Sequence, residues 1–212
     1  NKTIKENILN DYKEVFLPKT QFLDLDMQSY KAKPIKVSDC YVGKCFTFFM
    51  DEYEDHLLIL DRAGDIFYIK IENFLKGNKN FKKIETNLNF DVVLDLYIKE
   101  KNIYVSGKTK LPNGNYKISL QKSIIKNLNR INFKELFNSK DKKCINDSLH
   151  SGKIQHLNGN INDGILFSTM SVIQLNYPNQ EIQSDETICG KILLIDENTF
   201  KYKHYAKGFR NV

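Results

Sequence analysis

Short apolar stretches separated by turn residues recur along most of this chain, and they constrain its fold more than any other feature. The apolar segment 57–60 is followed by the turn segment 61–65 and then by the apolar segment 66–71. Within the turn, Gly64 supplies the flexible backbone that a hairpin requires. Strand–turn–strand units of this kind predict an all-β fold.

Similar units recur downstream. They cover segments 92–125, 154–169 and 190–205, at a spacing of about forty to fifty residues, which is the period of β-propeller blades of four short strands. At that period the chain has room for about four blades. The spacing by itself is equally compatible with a β-sandwich.

The N-terminal segment has a different pattern. Between Lys5 and Phe16 apolar residues stand at helical spacing, and Pro18 follows them, so we expect a short amphipathic helix that ends there. Beyond Pro34 the pattern is that of strands. We therefore expect an N-terminal helix with an extended lead-in at 1–34 and a β domain at 35–212.

Charge and composition exclude several classes of protein. The formal net charge of +6 comes from 29 lysines and three arginines, set against 26 acidic residues. Arginine is the residue of bidentate phosphate and base recognition, and the lysines are spread along the chain, so we predict no nucleic-acid partner. No run of roughly 18 apolar residues occurs, so we expect no transmembrane segment.

The cysteines are Cys40, Cys45, Cys144 and Cys189. One close pair and two distant residues do not match the spacing of a zinc site, and the scattered histidines do not either, so we predict no metal ligands. The even number favours an oxidising compartment with one or two disulfides. Buried free thiols in a reducing compartment are the alternative.

The C-terminal segment resembles a known family. It reads GKILLID at 190–196 and YAKGFRN at 205–211, which is similar to the corresponding segment of the glucose/sorbosone dehydrogenases, the soluble quinoprotein sugar dehydrogenases. The resemblance implies a six-bladed β-propeller that oxidises the C1 hydroxyl of an aldose with pyrroloquinoline quinone (PQQ) and calcium. Because the chain stops at Val212, we expect about four blades of an incomplete six-bladed ring, completed by further chain or a partner subunit.

The resemblance also implies a catalytic base. The family's histidine lies in a His-x-x-Gly-Arg-Leu-like segment, matched here by 148–154 ahead of the strand 164–169. Aligned on Gly152, the catalytic position falls on Leu149, and His150 stands one residue later. Proton abstraction from a sugar hydroxyl needs a base within about 3 Å. His150 is therefore the predicted base, provided that the loop shifts by one residue.

Three residues are implied as cofactor contacts. Arg210 and Asn211 fall on the family's Arg-Asn pair, and Lys153 occupies the position of an arginine. A planar guanidinium pairs well with carboxylates, and PQQ carries three of them. The family's N-terminal segment with a cofactor-contacting glutamine has no counterpart at 39–45, and its calcium residues would follow the end of the chain. The implied site is thus incomplete here.

Two functional hypotheses follow. The first is a periplasmic or secreted aldose dehydrogenase. The second is a non-catalytic propeller that binds carbohydrate or protein with the same loops, or a propeller completed by partner subunits in an assembly, because fold does not decide function. Leu149 favours the second hypothesis. We expect the acidic run 51–55 to be a solvated loop and 196–198 to be a turn.

Overall fold

The computed structural model describes residues 49–78, 80–114, 116–139, 151–158, 164–169 and 183–208, and the backbone of 21–25 and 28–32. The predicted helix at 5–16 and the predicted boundary at 34/35 lie outside them. The chain divides into one unit of residues 1–45 and 72–79 and another of 46–71 and 80–212. In the first unit, β1 (Gln21–Leu25) and β2 (Gln28–Ala32) form an antiparallel hairpin.

Three antiparallel meanders of four strands form the second unit. Sheet 1 contains β3 (Phe49–Tyr53), β4 (His56–Leu60), β5 (Ile66–Lys70) and β6 (Lys82–Thr86), and the short helix α1 (Ile71–Leu75) follows β5. Sheet 2 contains β7 (Val92–Lys99), β8 (Asn102–Lys110), β9 (Tyr116–Ile124) and, later in the chain, a fourth strand, β11 (Lys134–Asn138). Between β9 and β11, the two-residue β10 (Arg130–Ile131) pairs parallel to β6 and adds a fifth strand to sheet 1. Sheet 3 contains β12 (Ile154–Leu157), β13 (Gly164–Ser168), β14 (Lys191–Ile195) and β15 (Tyr202–Lys207). The predicted all-β fold class is confirmed.

The last two predicted repeats belong to one sheet. β13 pairs with β14, so that Ile165 stands opposite Ile195 and Phe167 opposite Leu193. A long segment separates these strands in the sequence, and local apolar patterns carry no information about which distant strand becomes the partner. The described residues of the second unit therefore form three sheets, of five, four and four strands, where the sequence predicted about four blades.

Sheet 2 is buried on both faces. One hydrophobic core packs it against sheet 1, and a second core packs it against sheet 3. On β8, Ile103 and Val105 belong to the first core and Tyr104 to the second. Side chains alternate between the faces of a strand, so a strand with two buried faces reads as a continuous apolar run.

The first strands of the three sheets lie side by side. β3 contacts β7, and β7 contacts β12. Sheets arranged around a common axis bring one strand each to the centre, as the blades of a propeller do. No helix among the described residues is long and apolar enough to cross a membrane.

Candidate functional site at the first strands

Three side chains, one from each sheet, meet at the first strands, and we call them the inner cluster. Lys153 directly precedes β12, Asp95 lies on β7, and Phe49 opens β3. The Lys153 Nζ is 3.1 Å from Asp95 Oδ1 and 4.7 Å from the centre of the Phe49 ring. One ammonium thus makes an ion pair with sheet 2 and a cation–π contact with sheet 1.

Asp95 also fixes the start of β12. The backbone N–H of Ile154 donates a hydrogen bond of 2.9 Å to Asp95 Oδ2. Asp95 is only 9% exposed, and burial raises the pKa of its carboxyl above the ordinary aspartate value. The bonds from the Ile154 amide and the Lys153 ammonium oppose that rise. Both partners therefore favour the ionised carboxylate at this buried position.

Backbone bonds hold the segment before Lys153. The N–H of Gly152 donates to the carbonyl of Ser168 at 3.0 Å, and Ser106 Oγ donates to the Gly152 carbonyl at 2.6 Å. Gly152 has a φ of 97°, and a Cβ added there would lie 2.8 Å from Leu94 Cδ1. Only glycine fits this position without strain. The glycine that anchors the family alignment is therefore explained by packing between sheets.

The acidic run at 51–55 was expected to be a solvated loop, and this expectation is wrong for residues 51–53. Asp51 and Tyr53 lie on β3, and only 54–55 form the turn. The N–H of Ile98 on β7 donates a 2.5 Å hydrogen bond to Asp51 Oδ2. Among the described strands β7 pairs only with β8, so amides on its other edge need a different partner, and the Asp51 carboxylate supplies one.

Of the predicted site residues, Lys153 is the one that the described residues include; Leu149, His150, Arg210 and Asn211 lie outside them. The geometry favours an inter-sheet role for Lys153, because Asp95 compensates its charge and would repel an anion beside it. The described residues do not by themselves fit the three carboxylates of PQQ. The predicted cofactor contact of Lys153 stays a prediction.

A second polar cluster joins sheets 2 and 3, and we call it the Glu197 cluster. Glu197, between β14 and β15, accepts hydrogen bonds from Tyr104 Oη at 2.8 Å and from Lys122 Nζ. Its Oε1 is 3.5 Å from His156 Nε2, and Lys99 Nζ is 2.9 Å from His156 Nδ1. Sequence patterns gave no sign of this cluster, because its members lie on separate strands. Within the described ranges no group of His, Cys, Asp and Glu could hold a metal ion.

The C-terminal motif residues that the structure describes support the fold. Lys191 on β14 is fully buried, and its ammonium donates a 2.7 Å bond to the carbonyl of Cys189. Burial lowers the pKa of Lys191. The predicted turn at 196–198 is confirmed: Asp196 Oδ1 accepts from the amides of Asn198 and Thr199 at 2.8 and 3.0 Å.

Comparison with known proteins identifies the fold. No family model and no curated protein sequence matches this chain. The structure is similar to a glucose dehydrogenase, with a TM-score of 0.57 and 14% identity over 77% of this chain and 56% of that one. It is also similar to the soluble aldose sugar dehydrogenase of Escherichia coli in its apo-form, with a TM-score of 0.59 and 12% identity over 78% of this chain and 51% of that one. The chain has a β-propeller fold.

A further solved glucose dehydrogenase gives a TM-score of 0.54 and 14% identity over 79% of this chain and 55% of that one. The chain thus spans about half the length of the solved structures that it resembles. At these identities the similarity describes the fold and not the activity.

Proposed function

We propose that this chain is part of a sugar dehydrogenase that oxidises the C1 hydroxyl of an aldose with PQQ and calcium. The observation that carries the proposal is the fold shared with solved glucose and aldose sugar dehydrogenases. The resemblance of segments 190–196 and 205–211 to the glucose/sorbosone dehydrogenases points to the same activity.

Each predicted residue has one role in this proposal. His150 accepts the proton of the C1 hydroxyl, because an imidazole titrates close to neutral pH. Arg210 and Asn211 bind carboxylates of the cofactor by charge-assisted hydrogen bonds. The Asp95 carboxylate compensates the charge of Lys153. Lys153 therefore contributes less to anion binding than an unpaired cation would.

The proposal extends to the setting of the protein. We place it in the periplasm or outside the cell, where the cysteines meet oxidising conditions. Further chain or a partner subunit completes the ring in this proposal. In this proposal the site binds a small sugar, and the protein has no nucleic-acid partner.

A non-catalytic propeller is the second candidate function. The pairing of Lys153 with Asp95 at 3.1 Å favours it, because a cation already compensated by a carboxylate is a poor ligand for an anionic cofactor. Leu149 at the aligned catalytic position favours it too. In that case the loops at the first strands bind carbohydrate or protein without chemistry.

The deciding experiment titrates the whole protein with PQQ and calcium and follows dye-linked oxidation of a panel of aldoses. Turnover that is lost in His150→Ala and kept in His204→Ala would support the dehydrogenase. His204 is a suitable control, because it lies on the outer strand β15 with its Nδ1 3.8 Å from Asp185. Sugar binding without turnover would favour the second candidate, and absence of both cofactor binding and turnover would refute the first.

A further inference from the structure

We propose that Asp95 is a positioning residue for the segment that leads from His150 into β12. The inference rests on the proposed function, in which His150 is the base. Asp95 touches no reacting atom in this account. It acts by holding Ser151, Gly152 and Lys153 in one place relative to sheet 2.

The first argument is the double contact that Asp95 makes. One carboxylate oxygen accepts from the Ile154 amide at 2.9 Å, and the other accepts from Lys153 Nζ at 3.1 Å. Backbone and side chain of the segment are thus tied to the same group. A carboxylate that is 9% exposed and bonded twice has little freedom to move. The Ile154 amide and the Lys153 ammonium that it binds are therefore held in place as well.

The second argument is the surroundings of the segment. Gly152 lies against Leu94, the residue that precedes Asp95 on β7. Ser106 on β8 bonds the Gly152 carbonyl at 2.6 Å. The segment therefore rests on sheet 2 through packing, a neutral hydrogen bond and one charged anchor. The charged anchor is the stronger of the two directional contacts.

The third argument is a comparison within the molecule. Asp51 bonds the Ile98 amide across sheets 1 and 2 in the same way that Asp95 bonds the Ile154 amide across sheets 2 and 3. Both carboxylates bind an amide of the next first strand. Only Asp95 binds next to the segment that follows His150. Asp51 therefore separates a general effect on stability from an effect on that segment.

The test compares Asp95→Asn and Asp95→Ala with Asp51→Ala in the whole protein. Asparagine keeps an oxygen for the Ile154 amide and removes the charge, whereas alanine removes both. We expect Asp95→Ala to lower kcat about a hundredfold with little change in the KM for the aldose, as a misplaced catalytic segment does. Asp95→Asn should fall between it and the wild type, and Asp51→Ala should lower the unfolding midpoint while leaving kcat unchanged.

Amide hydrogen exchange supplies a readout without cofactor or substrate. Exchange of the Ile154 amide should rise about tenfold or more in Asp95→Ala and stay close to wild type in Asp95→Asn, since opening free energies of protected amides respond to lost local bonds. In Asp51→Ala the Ile98 amide should respond instead. The inference is overturned if Ile154 exchange is the same in Asp95→Ala and Asp51→Ala, or if both variants lower kcat equally.

The two proposals fail in different ways. A wild type that oxidises no aldose would remove the proposed function. The positioning of the segment would then be decided by backbone chemical shifts of 151–153, which should change in Asp95→Ala and remain unchanged in Asp51→Ala. Unchanged shifts in both variants would overturn the inference whatever the activity.

Discussion

At the residue scale, aspartates on the first strands connect sheets that share no strand pairing. Asp51 and Asp95 each accept a backbone N–H from the next first strand. A first strand is the edge of its sheet, so alternate amides point away from it without a ladder partner. A short carboxylate from the neighbouring sheet satisfies such an amide and adds directional preference to apolar packing.

Replacing Lys153 should raise the pKa of Asp95 further. Lys153 lowers that pKa through its hydrogen bond and its charge, against the dominant effect of burial. In Lys153→Met both contributions are lost, so the carboxyl should titrate at higher pH than in the wild type. Carbon-13 NMR titration of the Asp95 carboxyl measures this directly. Lys201→Met, a change at an exposed residue between β14 and β15, serves as control.

This shift has a consequence for stability. Because the folded-state pKa of Asp95 lies above its unfolded value, the folded protein binds the proton more tightly. The free energy of unfolding should therefore fall as pH rises from the ordinary aspartate range through the folded-state pKa. The fall should be larger in Lys153→Met, and an equal pH dependence in both proteins would contradict the prediction.

Gly152→Ala should destabilise the protein by about 2–4 kcal/mol, through its left-handed backbone and the clash with Leu94. Urea unfolding measures the loss. Gly114→Ala is the matched control: Gly114 has a φ of 82°, but nothing lies within 4 Å of an added Cβ. Its loss should be about 1 kcal/mol, from backbone strain alone. Equal losses in the two variants would show that packing at Gly152 has no cost.

At the scale of elements, the turn between β14 and β15 reaches from sheet 3 to sheet 2. Glu197 in this turn contacts Tyr104 on β8, Lys122 on β9 and His156 on β12. The Glu197 side chain is 16% exposed, so solvent screens these contacts less than those of a surface pair. The Glu197 cluster and the inner cluster therefore connect sheet 3 to sheet 2 at two places.

Glu197→Gln should lower the free energy of unfolding by about 1–3 kcal/mol, because the charge-assisted bonds to Lys122 and Tyr104 weaken inside a partly buried network. Glu186→Gln, on an exposed residue, should change it by less than about 0.5 kcal/mol. Chemical unfolding of both variants at neutral pH measures the difference. A Glu197→Gln protein as stable as the control would show that the Glu197 cluster makes no net contribution to the free energy of unfolding.

At the scale of the whole molecule, stability depends on sheet 2. Its two faces carry the two hydrophobic cores, and the first strands of sheets 1 and 3 both contact β7. A change on β8 therefore affects one core or the other according to the parity of the position. This arrangement explains why Ile103 and Tyr104 are both fully buried although they are neighbours in the sequence.

A covalent link should add to these contacts. Cys189 is buried, and we expect it to form a disulfide with Cys144. Peptide mapping without reduction should find these two cysteines in one linked pair. Reduction should cost about 2–5 kcal/mol of stability, as the loss of a native disulfide does. Alkylation of Cys189 in the folded, unreduced protein would contradict this pairing.

The sequence by itself predicted the features that depend on neighbouring residues. The turn at Gly64, the Asp196 turn and the apolar strands follow from local preferences of φ and from side-chain period, so they could be read without a fold. Of the candidate site, the segment around Gly152 and Lys153 was identified from the resemblance of its sequence to that of the family. The contacts that give these residues their roles were not.

Only the tertiary structure decided which distant groups meet. It paired β13 with β14 and placed Asp95 beside Lys153 and Ile154. It also placed Asp51, expected in a loop, on a strand where it accepts a hydrogen bond from the neighbouring sheet. The physical reason is that a buried carboxylate is stable only where other strands supply its donors. Those donors lie far away in the sequence, so no local pattern records them.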